Sequence, residues 1–229
     1  MLIQLKANWL KIVTHIAALT PLAILIWDFY HDRLTFNPIQ EATFRTGKYA
    51  LVLLVLSLAV TPVNTVFGWR QVVSLRRWLG LYAFMYAAIH FLIFVWLDYG
   101  LDLQLLQEAI FEKRYALVGL ATFLILLPLA VTSTKGWMKR LGKNWKRLHR
   151  LVYLAGLLAV IHFVWLVKSD IREPLVYGAI VGALLLLRVP LVRKNISKLR
   201  ARFKSKPGQG LPKRKPYFLD SPLPRGKGG

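Results

Sequence analysis

Five histidines are spread along a chain of 229 residues that contains no cysteine. Without thiols there is no zinc–thiolate site, iron–sulfur cluster or disulfide, so a resident metal has to be held mainly by imidazole. Two of the five lie inside long apolar runs, at Ile89-His90-Phe91 and Ile161-His162-Phe163. An ionisable side chain in hydrocarbon costs about 2–3 kcal/mol on insertion scales, which marks such a position as functional by default. A neutral imidazole there either hydrogen-bonds to a neighbouring helix or coordinates a metal. A lone histidine favours the first role, and a matched pair shifts the balance to the second.

Whether these two are matched depends on the elements that carry them. The chain is 56% hydrophobic and 13% aromatic, with eight Trp and a mean hydropathy of +0.46, a membrane-class composition. Apolar runs of about 17 to 20 residues recur, long enough to cross a ~30 Å hydrocarbon core as helices, and lipid leaves no other means of satisfying the backbone. The expected fold is an all-α integral membrane protein with six transmembrane helices, near 9–27, 49–67, 78–97, 115–131, 150–167 and 175–192. The first span has no small-x-small cleavage site and ends in Trp27-Asp28-Phe29-Tyr30, so it reads as an uncleaved signal anchor. Residues 1–192 form the expected membrane domain; 193–229 form a basic tail rich in Pro and Gly, expected to be a disordered cytoplasmic extension.

The formal charge of +22 is explained by topology rather than by nucleic acid. One side of the bundle gathers Lys6, Lys11, Arg70, Arg76, Arg77, Lys135, Lys139, Arg140, Lys143, Lys146, Arg147 and the tail, while nine of the ten acids fall on the other. The positive-inside rule then makes both termini cytoplasmic, and anionic lipid headgroups are sufficient partners for the basic loops.

The second and third spans resemble the fourth and fifth. Tyr49-Ala50-Leu51-Val52 recurs as Tyr115-Ala116-Leu117-Val118, Pro62 recurs as Pro128, and the two Ile-His-Phe triplets follow. An internal helical-hairpin repeat places corresponding residues at corresponding depths. The third and fifth spans both run outward, so His90 and His162 sit level with one another, roughly 8 to 10 Å short of the outer ends. Two imidazoles at one depth, with no Cys, fit the axial ligation of haem iron. With both faces filled there is no open position for oxygen, and the chemistry left is electron transfer. Ala83, Ala87, Ala88, Gly156 and Ala159 would leave room for a flat ring, although such residues also serve ordinary close packing.

The other candidates have two readings each. His149, at the cytoplasmic end of the helix that carries His162, is either solvated at the interface or in contact with a cofactor. His15, in the cytoplasmic half of the first span, is either its opposite ligand or a packing residue. In the repeat, the counterpart of His149 in the third span is Arg77, so a second level of paired histidines is half missing. Arg76 and Arg77, with Lys135, Lys139 and Arg140, form a cationic rim that suits haem propionates or a flavin phosphate as well as lipid. Gly136 to Lys143 has five residues between its glycines and ends in Asn144, so it is no phosphate loop. Gly178 and Gly182 have the spacing of close helix packing.

Several segments together carry a family resemblance. Trp9-Leu10-Lys11 with His15, Arg76-Arg77-Trp78-Leu79-Gly80-Leu81 leading to His90, Thr132-Ser133-Thr134, and Leu141-Gly142-Lys143-Asn144-Trp145-Lys146-Arg147-Leu148-His149-Arg150-Leu151-Val152-Tyr153 leading to His162 are similar to the MsrQ (YedZ) family. These are the haem-binding membrane subunits of bacterial methionine sulfoxide reductase systems, within the ferric-reductase-like transmembrane superfamily, and the resemblance covers about residues 5 to 192. It implies a multi-pass protein of the bacterial cytoplasmic (inner) membrane with haem b and FMN. It also implies that electrons come from the quinone pool or a cytoplasmic flavin reductase and pass to a periplasmic MsrP-type molybdopterin subunit, in a heterodimer that repairs oxidised periplasmic proteins. His90, His149 and His162 match the family's haem-associated histidines. Where ferric reductases of the superfamily place two histidines on each of two helices, this chain has Arg77 at the fourth place. On this reading the chain is a non-catalytic electron-carrying subunit. The alternatives are a stand-alone ferric or quinone reductase of the same superfamily and a non-redox membrane scaffold or transporter.

Overall fold

A computed structural model describes residues 2–167, 170–190 and 192, with side chains from residue 9 onward. The expected tail at 193–229 lies outside the described residues. The order is α1 (Leu2–Tyr30), α2 (Pro38–Phe67), a 3₁₀ turn (Arg70–Ser74), α3 (Leu75–Leu92) continued by a π-helical turn (Ile93–Asp98), α4 (Leu103–Glu112), α5 (Arg114–Val131), α6 (Lys135–Leu141), α7 (Lys143–Leu148), α8 (Leu151–Leu166) and α9 (Arg172–Leu186). No strand occurs among the described residues, and five helical spans there are long and apolar enough to cross a membrane. The chain is a multi-pass integral membrane protein. Its lipid-sized surface is correspondingly apolar, with Ile12, Ile16, Leu56, Leu124 and Leu186 among the outward-facing side chains.

The boundaries follow local chemistry. Helix α2 starts eleven residues before the expected span because Asn37 caps it, its side chain accepting from the Gln40 N–H at 3.1 Å, with Pro38 in the first position. Helix α2 ends at Gly68, in the left-handed region at φ 75°, whose N–H donates to the Asn64 carbonyl. Helix α9 spans 15 residues, about 22 Å at 1.5 Å per residue, and stops at Leu186 although the apolar run continues. Pro190 is the cause, since its ring excludes the carbonyl four residues earlier from a regular helix.

Two antiparallel hairpins make the centre: α2 packs along α3, and α5 along α8, more extensively than any other pairs. Helix α1 lies against α3 and α2, while α9 lies against α8 and α2. The core between them is built on Tyr86, Ala155, Leu54, Ala83 and Ala18, and the Tyr86 hydroxyl donates to the Ala18 carbonyl at 2.8 Å, fixing α1 to α3. A second cluster of Leu51, Val55 and Val181 fixes α9. Pro62, inside α2, has no N–H and so frees the Leu58 carbonyl one turn earlier. Arg188 fills that gap: Nη2 donates to the Leu58 carbonyl at 2.5 Å, Nη1 donates to the Tyr153 hydroxyl at 2.6 Å, and the guanidinium lies 4.7 Å from the Tyr153 ring. One half-buried cation just past the end of α9 thus joins it to α2 and α8.

Candidate functional site

The two intramembrane histidines lie on the returning helices of the hairpins, His90 on α3 and His162 on α8. His90 Nδ1 is 2.9 Å from the Thr43 carbonyl of α2, and His162 Nδ1 is 2.7 Å from the Tyr115 carbonyl of α5. A carbonyl oxygen only accepts, so each Nδ1 carries the proton and donates it, leaving the lone pair on Nε2. No hydrogen bond engages either Nε2 among the described residues.

One turn beyond each of those carbonyls stands a glycine. A Cβ at Gly47 would sit 3.1 Å from His90 Cε1 and Nδ1, and one at Gly119 only 2.8 Å from the same atoms of His162. Each imidazole therefore lies against a helix turn that offers a carbonyl at one position and no side chain at the next. The same seat is built twice: Thr43, Gly47 and His90 each stand 72 residues before Tyr115, Gly119 and His162. This corrects the sequence register. The likeness of Tyr49–Val52 to Tyr115–Val118, at an offset of 66, is not the structural correspondence, because contacts to the histidines fix α2 and α5 at 72.

The two rings lie next to each other with centres 6.1 Å apart and planes nearly perpendicular, at 85°. A metal bonded to one nitrogen of each ring at roughly 2.0–2.1 Å, plus about 1.1 Å from nitrogen to ring centre, requires about 6.3 Å between centres. The observed separation of 6.1 Å is close to that value. No group of three or more His, Asp or Glu converges as a metal site among the described residues. His90 and His162 would supply two imidazole ligands to an iron, and a haem, which brings its other ligands with it, is a group that such a pair would suit.

The remaining candidates are placed as follows. His149 ends α7, with Nδ1 3.2 Å from the Trp145 carbonyl and its ring stacked on Trp145 at 4.0 Å. Trp145 is itself anchored by its indole N–H to the Thr132 carbonyl at 2.9 Å. His149 Nε2 is buried with no hydrogen-bond partner, a condition that a cofactor contact would relieve. His15 Nδ1 is 2.8 Å from the Tyr82 hydroxyl and its ring meets Trp78 edge-on at 4.7 Å, so it belongs to the α1–α3 contact. No ring contact joins His15 to His149 among the described residues. Arg76 and Arg77 are exposed at the start of α3, Arg77 with its guanidinium 5.6 Å from the Trp78 ring. Arg77 stands 72 residues before His149, the structural offset of the repeat. Gly156 does not leave room for a ring: a Cβ there would meet Leu58 Cδ1 at 3.0 Å, and Ala83 is likewise filled into the core. Sequence reasoning missed Thr43, Gly47, Tyr115, Gly119, Trp145 as an anchor, and Arg188.

The ferric reductase like transmembrane component family matches residues 46–174, which hold most of both hairpins, both histidines and both seat glycines. Curated relatives extend the likeness over most of the chain. The protein-methionine-sulfoxide reductase heme-binding subunit MsrQ of Xanthomonas axonopodis pv. citri (strain 306) is 49% identical over 186 residues, 78% of this chain and 85% of the relative. The chain belongs to the MsrQ family. Its MsrQ relatives in Xanthomonas oryzae pv. oryzae (strain MAFF 311018) and Herminiimonas arsenicoxydans are 44% and 41% identical, covering 89% and 79% of this chain and 95% and 84% of their own lengths. Among solved structures none matches this chain.

Proposed function

We propose that this chain is the haem-binding, electron-carrying membrane subunit of a methionine sulfoxide reductase system, with His90 and His162 as the axial ligands of a b-type haem. The observation that carries the reading is the duplicated seat, which holds two imidazoles by their Nδ1 atoms, each with its Nε2 left for a ligand, at a ring separation of 6.1 Å. The names of the MsrQ relatives agree with it, since each is a heme-binding subunit of a protein-methionine-sulfoxide reductase. The bound group supplies one-electron transfer with no site for oxygen. The protein's own part is to hold the tautomer. The Thr43 and Tyr115 carbonyls keep the proton on Nδ1, orient the rings and raise the basicity of Nε2, as partners of ligating histidines do.

In this proposal six spans cross the membrane with both termini cytoplasmic, the basic loops lying inside by the positive-inside rule. The histidine pair is then in the outer half, eight residues from Asp98 on α3 and four from Leu166 on α8, or roughly 12 and 6 Å along the helices. Electrons enter from the quinone pool or a cytoplasmic flavin reductase and leave to a periplasmic MsrP-type molybdopterin subunit. FMN is the second cofactor. The buried, unpartnered His149 Nε2 and the exposed Arg76 and Arg77 lie at the opposite end of α3 and α8 from the histidine pair, where cofactor contacts on the entry side belong.

The test is a reduced-minus-oxidised visible spectrum of the purified chain, with haem counted by pyridine haemochrome and flavin by fluorescence after denaturation. Sharp low-spin b-type bands near one haem per chain fit the His90 and His162 pair. A value near two brings His149 in as a further ligand, and a colourless chain made under haem-replete conditions rejects the proposal.

A further inference from the structure

We infer that Thr46 is a positioning residue for His90, and that its hydroxyl, acting through the Thr43 carbonyl, makes the two axial ligands unequal. The inference rests on the ligand reading above and adds a residue that tunes the reduction potential of the bound group. Thr46 lies on α2 between Thr43 and Gly47 and is 0% exposed. A hydroxyl so buried needs an acceptor close by. Its single hydrogen is shared between two carbonyls of its own helix, Ala42 at 2.7 Å and Thr43 at 3.1 Å. The first contact is the ordinary back-bond of a helical threonine to the preceding turn. The second falls on the carbonyl that seats His90.

A carbonyl oxygen has two lone pairs. In the Tyr115 seat two donors meet them, the Gly119 N–H through the helical ladder of α5 and His162 Nδ1 at 2.7 Å. In the Thr43 seat three donors compete: the Gly47 N–H through the ladder of α2, His90 Nδ1 at 2.9 Å, and the Thr46 hydroxyl. The repeat shows that the third donor is not needed to build a seat. At the offset of 72, Thr46 corresponds to Val118, which has no hydroxyl. Among the described residues no side chain other than His162 donates to the Tyr115 carbonyl. The His90 bond is the longer of the two, the direction that competition for one oxygen gives.

What happens at Nδ1 is felt at the other ring nitrogen. A strong acceptor draws the Nδ1 proton, enriches the ring in electrons and makes Nε2 a better donor to iron, which favours the ferric over the ferrous state. An oxygen already polarised by the Thr46 hydroxyl draws that proton less. His90 is therefore the weaker donor of the pair, and Thr46 holds the reduction potential above the value that two equal seats would give.

Exchanging the two residues between the seats tests this. In the haem-loaded full chain, Thr46→Val removes the hydroxyl at nearly constant shape, and Val118→Thr adds one beside the Tyr115 carbonyl. Midpoint potentials are read by optical redox titration of the purified proteins, with haem content by pyridine haemochrome. Thr46→Val should lower the potential and Val118→Thr should raise it, each by roughly a threefold change in the ferric-to-ferrous ratio, or about 30 mV, at unchanged haem content. Thr46→Ser keeps the hydroxyl and should keep the wild-type potential, which a role in packing alone does not require. A wild-type potential in Thr46→Val, or shifts of the same sign in the two exchanges, overturns the inference alone. Should Thr46→Val fail to fold, Val118→Thr decides, since it removes no hydrogen bond: a raised potential supports the coupling and an unchanged one overturns it. A haem that survives the loss of both His90 and His162 overturns the ligand reading, and the inference with it.

Discussion

Substituting Gly119 by alanine asks whether the seat under His162 matters to the ligand. The new Cβ would stand 2.8 Å from His162 Cε1 and Nδ1, and ordinary contact begins at 3.4 Å, so the ring has to retreat by about 0.6 Å. That retreat lengthens the 2.7 Å bond to the Tyr115 carbonyl to about 3.3 Å, beyond the usual range for an N–H···O bond. Loss of the bond costs about 1 kcal/mol and the overpacking a further 1–3 kcal/mol, together on the order of a hundredfold in haem affinity. At Gly47 the starting distance is 3.1 Å, the needed retreat about 0.3 Å, and the effect correspondingly smaller. Alanine is the better helix former by about 1 kcal/mol, so α5 itself is not weakened by the change. The assay is haem retained through purification, by pyridine haemochrome, with thermal stability of the apo chain as a control. The expected order of retention is wild type, then Gly47→Ala, then Gly119→Ala. Full retention in Gly119→Ala with an unaltered spectrum refutes the seat.

His90→Ala and His162→Ala are each expected to lose most bound haem, whereas His149→Ala has a smaller or potential-shifting effect; full retention in both of the first two sinks the ligand assignment. Arg188→Leu should destabilise the chain by about 1–3 kcal/mol, since it leaves the Leu58 carbonyl unpaired. Pro62→Ala supplies the missing N–H and should recover part of that loss when combined with Arg188→Leu, which a double-mutant cycle of denaturation in detergent measures; strict additivity would contradict the pairing.

The histidine pair was legible because two imidazoles inside apolar runs are costly and because depth can be counted along a helix. What seats them was not legible. Glycine in an apolar helix reads as a packing residue, and the Tyr-Ala-Leu-Val likeness set α2 against α5 at an offset of 66, which pairs Gly119 with Leu53 and hides Gly47. Applying the histidines' own offset of 72 to the whole hairpin reveals both glycines. Helix α4 escaped a search for long apolar runs because it is ten residues long and amphipathic, and the early start of α2 lay in the capping signal Asn37-Pro38 rather than in hydropathy. Arg188 sits in an apolar run, so its charge was a visible signal. Its partner, a carbonyl freed by Pro62 on a helix 130 residues away in sequence, was not.

The most direct test of the histidine pair is low-temperature electron paramagnetic resonance of the oxidised, purified chain. Imidazole planes held at 85° to one another should give a strongly anisotropic low-spin ferric signal, lost in both His90→Ala and His162→Ala. A high-spin ferric signal in the wild type, or a low-spin signal that survives both substitutions, contradicts it.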